Sequence, residues 1–304
     1  MDRKKLKAWA KAALGRNYWK SVIVALLGFA IFFVAVYTVW MGLGMSFGYG
    51  MSMLLALGAY LIDTSIMSGE SVTMSLGMMA FLVIIGLGIF AIGFAGKSFL
   101  GNTLGVGCKR FFLDGLYKKD VNLGQIGSAF KPGYKNIAKT LFVRDIYLGL
   151  WIILSTTIYM ILSMVLVFVG IYAFVDHSHK FPEIILVLFI VLGFLFIYVI
   201  MFISYIPAYI KLLQYLYMPY ILAENPDMPT KQVFELSKKM ICGEKWNVFV
   251  MHLSFLGWVL LSSYTCGILQ LFYVGPYIGY TTAAYYEATK QKIGNPQIKE
   301  IVAG

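Results

Sequence analysis

Four charged residues stand at the edges of long apolar runs, where an ionised side chain must find water or a partner. They are Lys97, Arg144, Lys211 and Glu224. A charged group inside a bilayer is costly unless it pairs or faces a polar cavity. Basic charge is in excess at this depth, because the acids near these runs are Asp145 and Glu224. The pattern predicts a shared pocket for an anionic headgroup or acidic substrate. Separate anchoring of each side chain at the interface is the alternative.

Histidine occurs in two settings that could bind a proton or a metal. His252 lies early in an apolar run, so it should face the interior of a helix bundle as a binding group or bond a neighbouring hydroxyl or carbonyl. Asp176, His177 and His179 form a D-H-x-H sequence, and imidazole and carboxylate groups are zinc ligands. A zinc site there would need another ligand. A polar loop between two apolar runs is therefore favoured over a metal site.

The segment 42–73 is rich in methionine and glycine and contains no lysine or arginine. Thioethers can hold Cu(I), but methionine is also an adaptable packing residue. A helical cap or a re-entrant segment packed against other helices is favoured over a copper site. The sequence indicates no complete phosphate loop, no G-x-S-x-G nucleophile elbow and no H-E-x-x-H helix. It therefore predicts no cofactor, and a non-enzymatic role is favoured over a membrane-embedded enzyme.

The composition indicates the kind of element that must position these residues. Hydrophobic residues make up 60% of the 304 residues and charged residues 13%, with a net charge of +11. Soluble domains usually carry about 25% charged residues, so this chain lacks the polar surface of a soluble protein. The basic residues flank apolar runs, which suits anionic lipid headgroups. No nucleic-acid reading module is recognisable, so nucleic acid is not predicted as a partner.

Six apolar runs approach the ~20 residues that cross the hydrocarbon core of a membrane. These runs are 21–41, 74–96, 146–174, 183–206, 247–264 and 267–287. The predicted fold is all-α and transmembrane, a single polytopic domain over residues 1–304. About six spans should form three hairpins, and each hairpin should follow a cytoplasmic, interfacial amphipathic helix.

The distribution of basic residues predicts the orientation. Lysine and arginine concentrate in the N-terminal segment, in the connections after the second and fourth runs, and in the C-terminal tail. The opposite side carries Lys180 alone. Because basic loops stay in the cytoplasm, both termini are expected to be cytoplasmic.

Besides the apolar runs and the distribution of basic residues, the sequence contains an internal repeat. Residues 2–14, residues 230–242 and, more weakly, residues 126–136 place apolar residues on one side of a helix before a span begins. Such a helix can lie in the headgroup plane. A glycine that tolerates the left-handed conformation is expected to end each one: Gly15, Gly243 and Gly133. The predicted repeat units are 1–106, 107–217 and 218–290.

Four segments resemble a known family. They are 4–19, with the stretch ALGRNYW at 13–19, then 219–228 (PYILAENPDM), 237–258 and 276–287. Together they resemble the bacterial membrane family called domain of unknown function 975, and more distantly the membrane region of some glycerophosphodiester phosphodiesterases. The resemblance implies a bacterial plasma membrane. It implies no known activity and supplies no catalytic residues.

These observations predict a multi-pass membrane protein that binds or transports an amphiphilic or lipid-like molecule at the inner leaflet. The expected partners are membrane lipids and their anionic headgroups, and a second copy or another membrane protein stays open. One alternative is an accessory or structural subunit of another membrane complex. A second alternative is a membrane-embedded enzyme.

Overall fold

The computed structural model describes residues 3–62, 69–131, 133–177 and 183–294, and within these ranges the chain is helical and has no strand. The α-helices are α1 Arg3–Arg16, α2 Tyr18–Ile62, α3 Gly69–Gly96, α4 Asn102–Tyr117, α5 Tyr134–His177, α6 Glu183–Gln214, α7 Met218–Glu224, α8 Thr230–Ile241, α9 Lys245–Leu253, α10 Leu256–Tyr264 and α11 Gly275–Ile293. Two π-helical turns, Lys97–Gly101 and Gln270–Val274, continue into α4 and α11. A 3₁₀-helix, Leu123–Phe130, precedes α5.

Five helical stretches in the described ranges are long and apolar enough to cross a membrane. They are Tyr18–Leu57, Thr73–Tyr117, Tyr134–Val167, Val191–Glu224 and Lys245–Tyr264. Many of their large apolar side chains are exposed, including Met74 at 80% and Ile92 at 76%. A continuous apolar surface of this size indicates contact with lipid or with another protein. The predicted all-α transmembrane class is confirmed, whereas the predicted count of six is not.

The first hairpin is longer than the bilayer is thick. Helix α2 has 45 residues, which at 1.5 Å per residue is about 67 Å, against a hydrocarbon core of about 30 Å. Residues 42–62, expected to form a cap or a re-entrant segment, instead continue α2 without a break. Their apolar residues suit a helix. Gly42 admits a close neighbour, whereas a Cβ added to Gly44, Gly48 or Gly50 would meet no heavy atom within 4 Å.

That neighbour is α3. A Cβ added to Gly42 would lie 2.4 Å from the backbone nitrogen of Phe90, and one added to Gly86 would lie 2.9 Å from that of Ser46. The Ser46 hydroxyl donates to the Gly42 carbonyl oxygen at 2.8 Å. Small residues at a helix contact let the two backbones approach, which is what holds α2 and α3 together here.

Helix α11 forms the centre of the packed core. Residues 279–287 are all buried, and α11 packs against α1 and α4. Five tyrosines are among the fully buried side chains: Tyr217, Tyr220, Tyr280, Tyr285 and Tyr286. The predicted sixth span, 267–287, is not among the five stretches that are long and apolar enough, so it is not confirmed. Protein surrounds much of this segment, which its small and hydroxylated residues permit.

The apolar faces of the amphipathic helices are covered by protein. Helix α1 buries Ala10, Ala13 and Leu14, and α8 buries Val233, Leu236 and other residues of the same core. These faces were expected to contact the membrane surface. The expected glycine cap occurs at Gly243, which follows the C-cap residue of α8 and has a φ of 78°. Gly133 also has a positive φ, 102°, but it lies beyond the C-cap residue Lys131 and directly precedes α5, and Gly15 lies within α1.

One end of the bundle gathers the basic segments. Polar contacts there join α1 to α9 and to the end of α4, the start of α2 to the connection after α4, and the end of α11 to the connection after α8. The contacts are Arg3–Asn247, Arg16–Leu116, Lys20–Asp120 and Lys292–Glu244. Segments far apart in the sequence are thereby fixed at a common level, and we call this the basic end.

Candidate functional site

A buried carboxylate joins two of the predicted site residues. Lys97 Nζ donates to Asp145 Oδ2 at 2.7 Å, and Arg144 Nη2 donates to Asp145 Oδ1 at 2.8 Å. Asn102 Nδ2 donates to Asp145 Oδ2 at 2.7 Å, and its own side-chain oxygen accepts from Arg144 at 3.1 Å. The side chain of Asp145 is only 2% exposed. Because water has little access to Asp145, these contacts are what stabilise its ionised carboxylate. Lys97, Arg144 and Asp145 together carry a net positive charge.

A π-helical turn positions two members of this group. Helix α3 ends at Gly96, the turn Lys97–Gly101 follows, and α4 begins at Asn102. The wider turn changes which way the following side chains project, and such turns are frequent at functional sites. Here Lys97 begins the turn and Asn102 follows it, and both side chains reach Asp145 on α5.

A cavity of about 540 Å³ lies beside this group, between α2, the first π turn with α4, and the second π turn with α11. Its volume falls within the range of about 300–1,000 Å³ typical of small-molecule sites. Most of the lining is apolar and comes from residues such as Val24, Phe29, Ile31, Phe112 and Ile278. The longer polar side chains among the lining residues are Lys97, Asn102, Lys109 and Gln270. The cavity therefore suits a largely apolar molecule with a polar end.

Glycine keeps the cavity open. Gly28 and Gly105 line it, and a Cβ added to either would have no heavy atom within 4 Å. Gly275 and Gly279 also line the cavity, but their added Cβ atoms would meet other protein atoms. The first pair thus faces open space, while the second pair allows close packing of α11.

The charges around the cavity are mainly positive. Lys97 and Arg144 share the single carboxylate of Asp145. Lys109 is half-buried and lies over the ring of Tyr220, 5.4 Å from its centroid. Among the described residues, no carboxylate lies within ion-pair distance of Lys109. Of these groups, Lys97 and Lys109 line the cavity, and with the neighbouring Arg144 and Asp145 they carry a net charge of +2.

Lys211 and Glu224 have other partners. Lys211 Nζ lies 4.8 Å from the centroid of the Trp151 ring. Glu224 accepts from the Tyr286 hydroxyl at 2.8 Å and from Lys290 at 2.6 Å. Among the described side chains, no hydrogen bond or ion pair connects them to Lys97 or Arg144. The expected approach of four residues is thus found only for Lys97 and Arg144, and the ligand-binding roles of all four stay predictions.

The histidine predictions differ in outcome. The hydroxyl of Tyr209 lies 3.3 Å from His252 Nδ1, so His252 bonds a neighbouring hydroxyl, one of the two expected arrangements. The side chains of Asp176 and His177 and the whole of His179 lie outside the described part of the structure. Within that part, no group of three or more His, Cys, Asp or Glu side chains could hold a metal ion.

One short sequence match is excluded by its setting. Residues 44–48 read G-x-S-x-G, the pattern of a nucleophile elbow, which requires a sharp turn from a strand to a helix. Ser46 instead lies in the middle of α2, and its hydroxyl donates to the Gly42 carbonyl oxygen. Its role is helix packing.

Sequence reasoning missed three residues of the cavity. Asn102 was hidden because the π turn that aims it has no recognised sequence signal. Lys109 was counted only as one of the basic residues that set the orientation. Gln270 gave the clearest available signal, since it is a lone amide within the apolar run 267–287.

Comparison with known proteins agrees with the resemblance in the sequence. The family described as "Protein of unknown function (DUF975)" matches residues 1–292. No curated protein and no solved structure matches, and the more distant similarity to glycerophosphodiester phosphodiesterases is not shown. Since the match covers nearly the whole chain, this protein belongs to the DUF975 family of membrane proteins.

Proposed function

We propose that this protein binds a lipid-like amphiphile in the cavity between α2, α4 and α11. The observation that carries the proposal is the cavity itself, with apolar walls and an edge of net positive charge. An acyl chain that enters from the bilayer would be held by packing against the apolar walls, since its surroundings are apolar before and after, and an anionic head would be attracted by the basic residues at the edge of the cavity. A purely structural subunit would not require such a cavity.

The orientation supports access from the inner leaflet. The basic end collects the lysine- and arginine-rich segments, and such segments are retained in the cytoplasm. Lys97 and Lys109 lie on the part of the second span that leads to this end. We therefore place the cavity near the inner headgroups of the plasma membrane, with both termini cytoplasmic.

The experiment fills the cavity without disturbing the helices. Gly105→Phe places a ring in open space, because a Cβ at Gly105 meets no heavy atom within 4 Å. Gly88→Phe is the matched control, since Gly88 is exposed on α3, is equally unobstructed and does not line the cavity. Both variants would be purified in parallel, and the lipids retained by each would be counted by native mass spectrometry.

Wild type and Gly88→Phe should retain the same tightly bound lipid, and Gly105→Phe should lose it. Equal retention in all three proteins would show that the cavity is not a lipid site. The accessory role would then become the better account.

A further inference from the structure

The cavity is elongated along the helices that form it. Its wall on α2 is lined by residues from position 24 to position 36, a distance of about 18 Å at 1.5 Å per residue. The facing wall on the first π turn and α4, from position 97 to position 112, is at least as long. Gly28 and Gly105 lie near the middle of the two walls, where an added Cβ would meet no heavy atom within 4 Å. The cavity is therefore one continuous space.

Packed side chains close one end of the cavity. Val24 and Phe112 line it there, and both are buried. The ring of Phe112 packs edge-on against that of Tyr280, with the centroids 5.1 Å apart. A Cβ added to Gly279 would lie only 2.7 Å from the Phe112 ring. A chain lying in the cavity cannot extend past this end.

Val36 and Lys97 stand at the other end of the cavity. They belong together because a Cβ added to Gly93, one turn before Lys97, would lie 2.5 Å from the hydroxyl oxygen of Thr38. Lys97 is fixed in place by its hydrogen bond to Asp145 at 2.7 Å. Since both ends are marked by residues with defined packing, the length of the cavity limits the length of its ligand.

The volume of the cavity limits the number of chains. Spread over about 18 Å, its volume of about 540 Å³ corresponds to a mean cross-section of about 30 Å². A methylene group takes up about as much space as a water molecule in the liquid, roughly 30 Å³. An extended chain of carbons advances about 1.2 Å per bond, as a polypeptide backbone does. One chain thus needs about 25 Å², and two parallel chains need about 50 Å².

We infer that the cavity takes one extended acyl chain of about 14 to 18 carbons and has no space for a second. This inference rests on the proposed function and specifies the tail of its ligand. The chain can belong to a single-chain amphiphile, such as a fatty acid or a lysophospholipid. It can also belong to a two-chain phospholipid whose other chain stays outside the protein.

The test varies the chain while the head stays constant. Lysophosphatidylglycerols with saturated chains of about 12 to 20 carbons, which bracket the expected length, would be offered to the full-length protein as an equimolar mixture. The protein would be kept in a steroid-based detergent, which has no alkyl chain to compete. Native mass spectrometry would identify each bound chain by its mass. Phosphatidylglycerol with two chains of the best-bound length would then be compared with the matching lysolipid.

Binding to wild type should rise with chain length up to about 16 carbons and then stop rising. A chain about four carbons shorter should bind about tenfold more weakly, because it leaves part of the cavity unfilled. Phosphatidylglycerol should bind no more tightly than the lysolipid, because its second chain stays in the detergent. Equal binding would identify a two-chain lipid as a possible source of the chain, and weaker binding would restrict the ligand to single-chain amphiphiles.

A pair of valine variants tests the assigned end of the cavity. Val36→Phe adds a ring there and should shorten the best-bound chain by about two to four carbons. Val34→Phe is the matched control, since Val34 is exposed on the same helix and does not line the cavity. The control should keep the chain-length preference of wild type.

Binding that keeps rising to the longest chain, or that does not depend on chain length, would overturn the assigned length. Phosphatidylglycerol binding about fivefold or more tightly than the lysolipid would overturn the limit of one chain. An equal shift in the two valine variants would overturn the assigned end. In each case the cavity could still be the lipid site, since the proposed function fails only if Gly105→Phe leaves lipid retention unchanged.

Discussion

At the residue scale, Asp145 is a single carboxylate shared by Lys97, Arg144 and Asn102. Because these partners come from α5, the first π turn and α4, the carboxylate fixes the relative positions of three segments. Asp120 is a useful contrast, since its side chain is 81% exposed where it pairs with Lys20. An exposed pair contributes about 0–1 kcal/mol, whereas removing one partner of a buried pair costs about 3–5 kcal/mol.

Asp145→Asn is therefore expected to lower stability by about 3–5 kcal/mol, and Asp120→Asn by about 1 kcal/mol or less. Equilibrium unfolding of the detergent-solubilised protein would measure both. Similar losses in the two variants would contradict the structural role assigned to Asp145.

Glu244 allows a prediction of pH dependence at the basic end. Burial of its carboxylate disfavours the charge, but the hydrogen bonds from Lys292 and Asn247, together with the charge of Lys292, outweigh this and hold the pKa of Glu244 below its ordinary value of 4.5. Asn247 in turn accepts from Arg3 at 2.9 Å. The ionised carboxylate thus helps to attach α1 and α11 to α9.

A carboxyl whose pKa is lower in the folded protein stabilises the fold above its ordinary pKa and loses this contribution as pH falls through its folded value. Wild type should therefore be more stable than Glu244→Gln at pH 7, and the difference should shrink below about pH 4.5. Melting temperatures of wild type and Glu244→Gln, measured from pH 7 to pH 3.5, would show how the difference in stability changes with pH. A difference that does not depend on pH would mean that Glu244 does not act through its charge.

At the scale of elements, the contact between α2 and α3 depends on glycine. A Cβ on Gly42 would meet backbone atoms of Phe90 and Gly86 within 2.7 Å, whereas one on Gly44 would meet nothing within 4 Å. Gly42→Ala should therefore separate the helices and cost about 1–3 kcal/mol, while Gly44→Ala should be neutral or slightly stabilising. Thermal unfolding of the two variants would test this, and equal stability would argue against close packing of the hairpin.

Sequence reasoning succeeded for elements where one property dominates. Apolar length predicts the spans of α2, α3, α5 and α6, and the end of α7 follows from Pro226, which keeps Asn225 out of the helix. Prediction from the sequence failed where the position of an element depends on its packing against other helices. The surroundings of α11 depend on helices far away in the sequence, and the tyrosine partner of Glu224 lies 62 residues away.

The same distinction applies to the cavity. The similar depth of Lys97 and Arg144 in the membrane correctly predicted that they lie close together, because both stand at the edges of neighbouring spans. It could not show that Lys211 faces Trp151 instead, since depth gives no information on the direction of a side chain. The two π turns, which place Lys97 and Gln270 on one cavity, have no recognised sequence pattern.

At the scale of the whole molecule, the native cysteines can report the orientation. Cys242 follows α8 at the basic end, Cys266 lies in the turn after α10, and both are exposed, whereas Cys108 is buried. A membrane-impermeant thiol reagent applied to intact cells should label Cys266 in a Cys242→Ser variant. It should not label Cys242 in a Cys266→Ser variant until the membrane is opened. The reverse pattern would place the basic end outside the cell.

The central claim is that an amphiphile occupies the cavity, and a cryo-electron microscopy structure in nanodiscs containing phosphatidylglycerol tests it most directly. The account predicts elongated density between α2, α4 and α11, with its polar end towards the basic residues at the edge of the cavity. If α2 closes against α4 and α11 with no space for a lipid chain, or if the cavity is open but holds only water, the account is wrong.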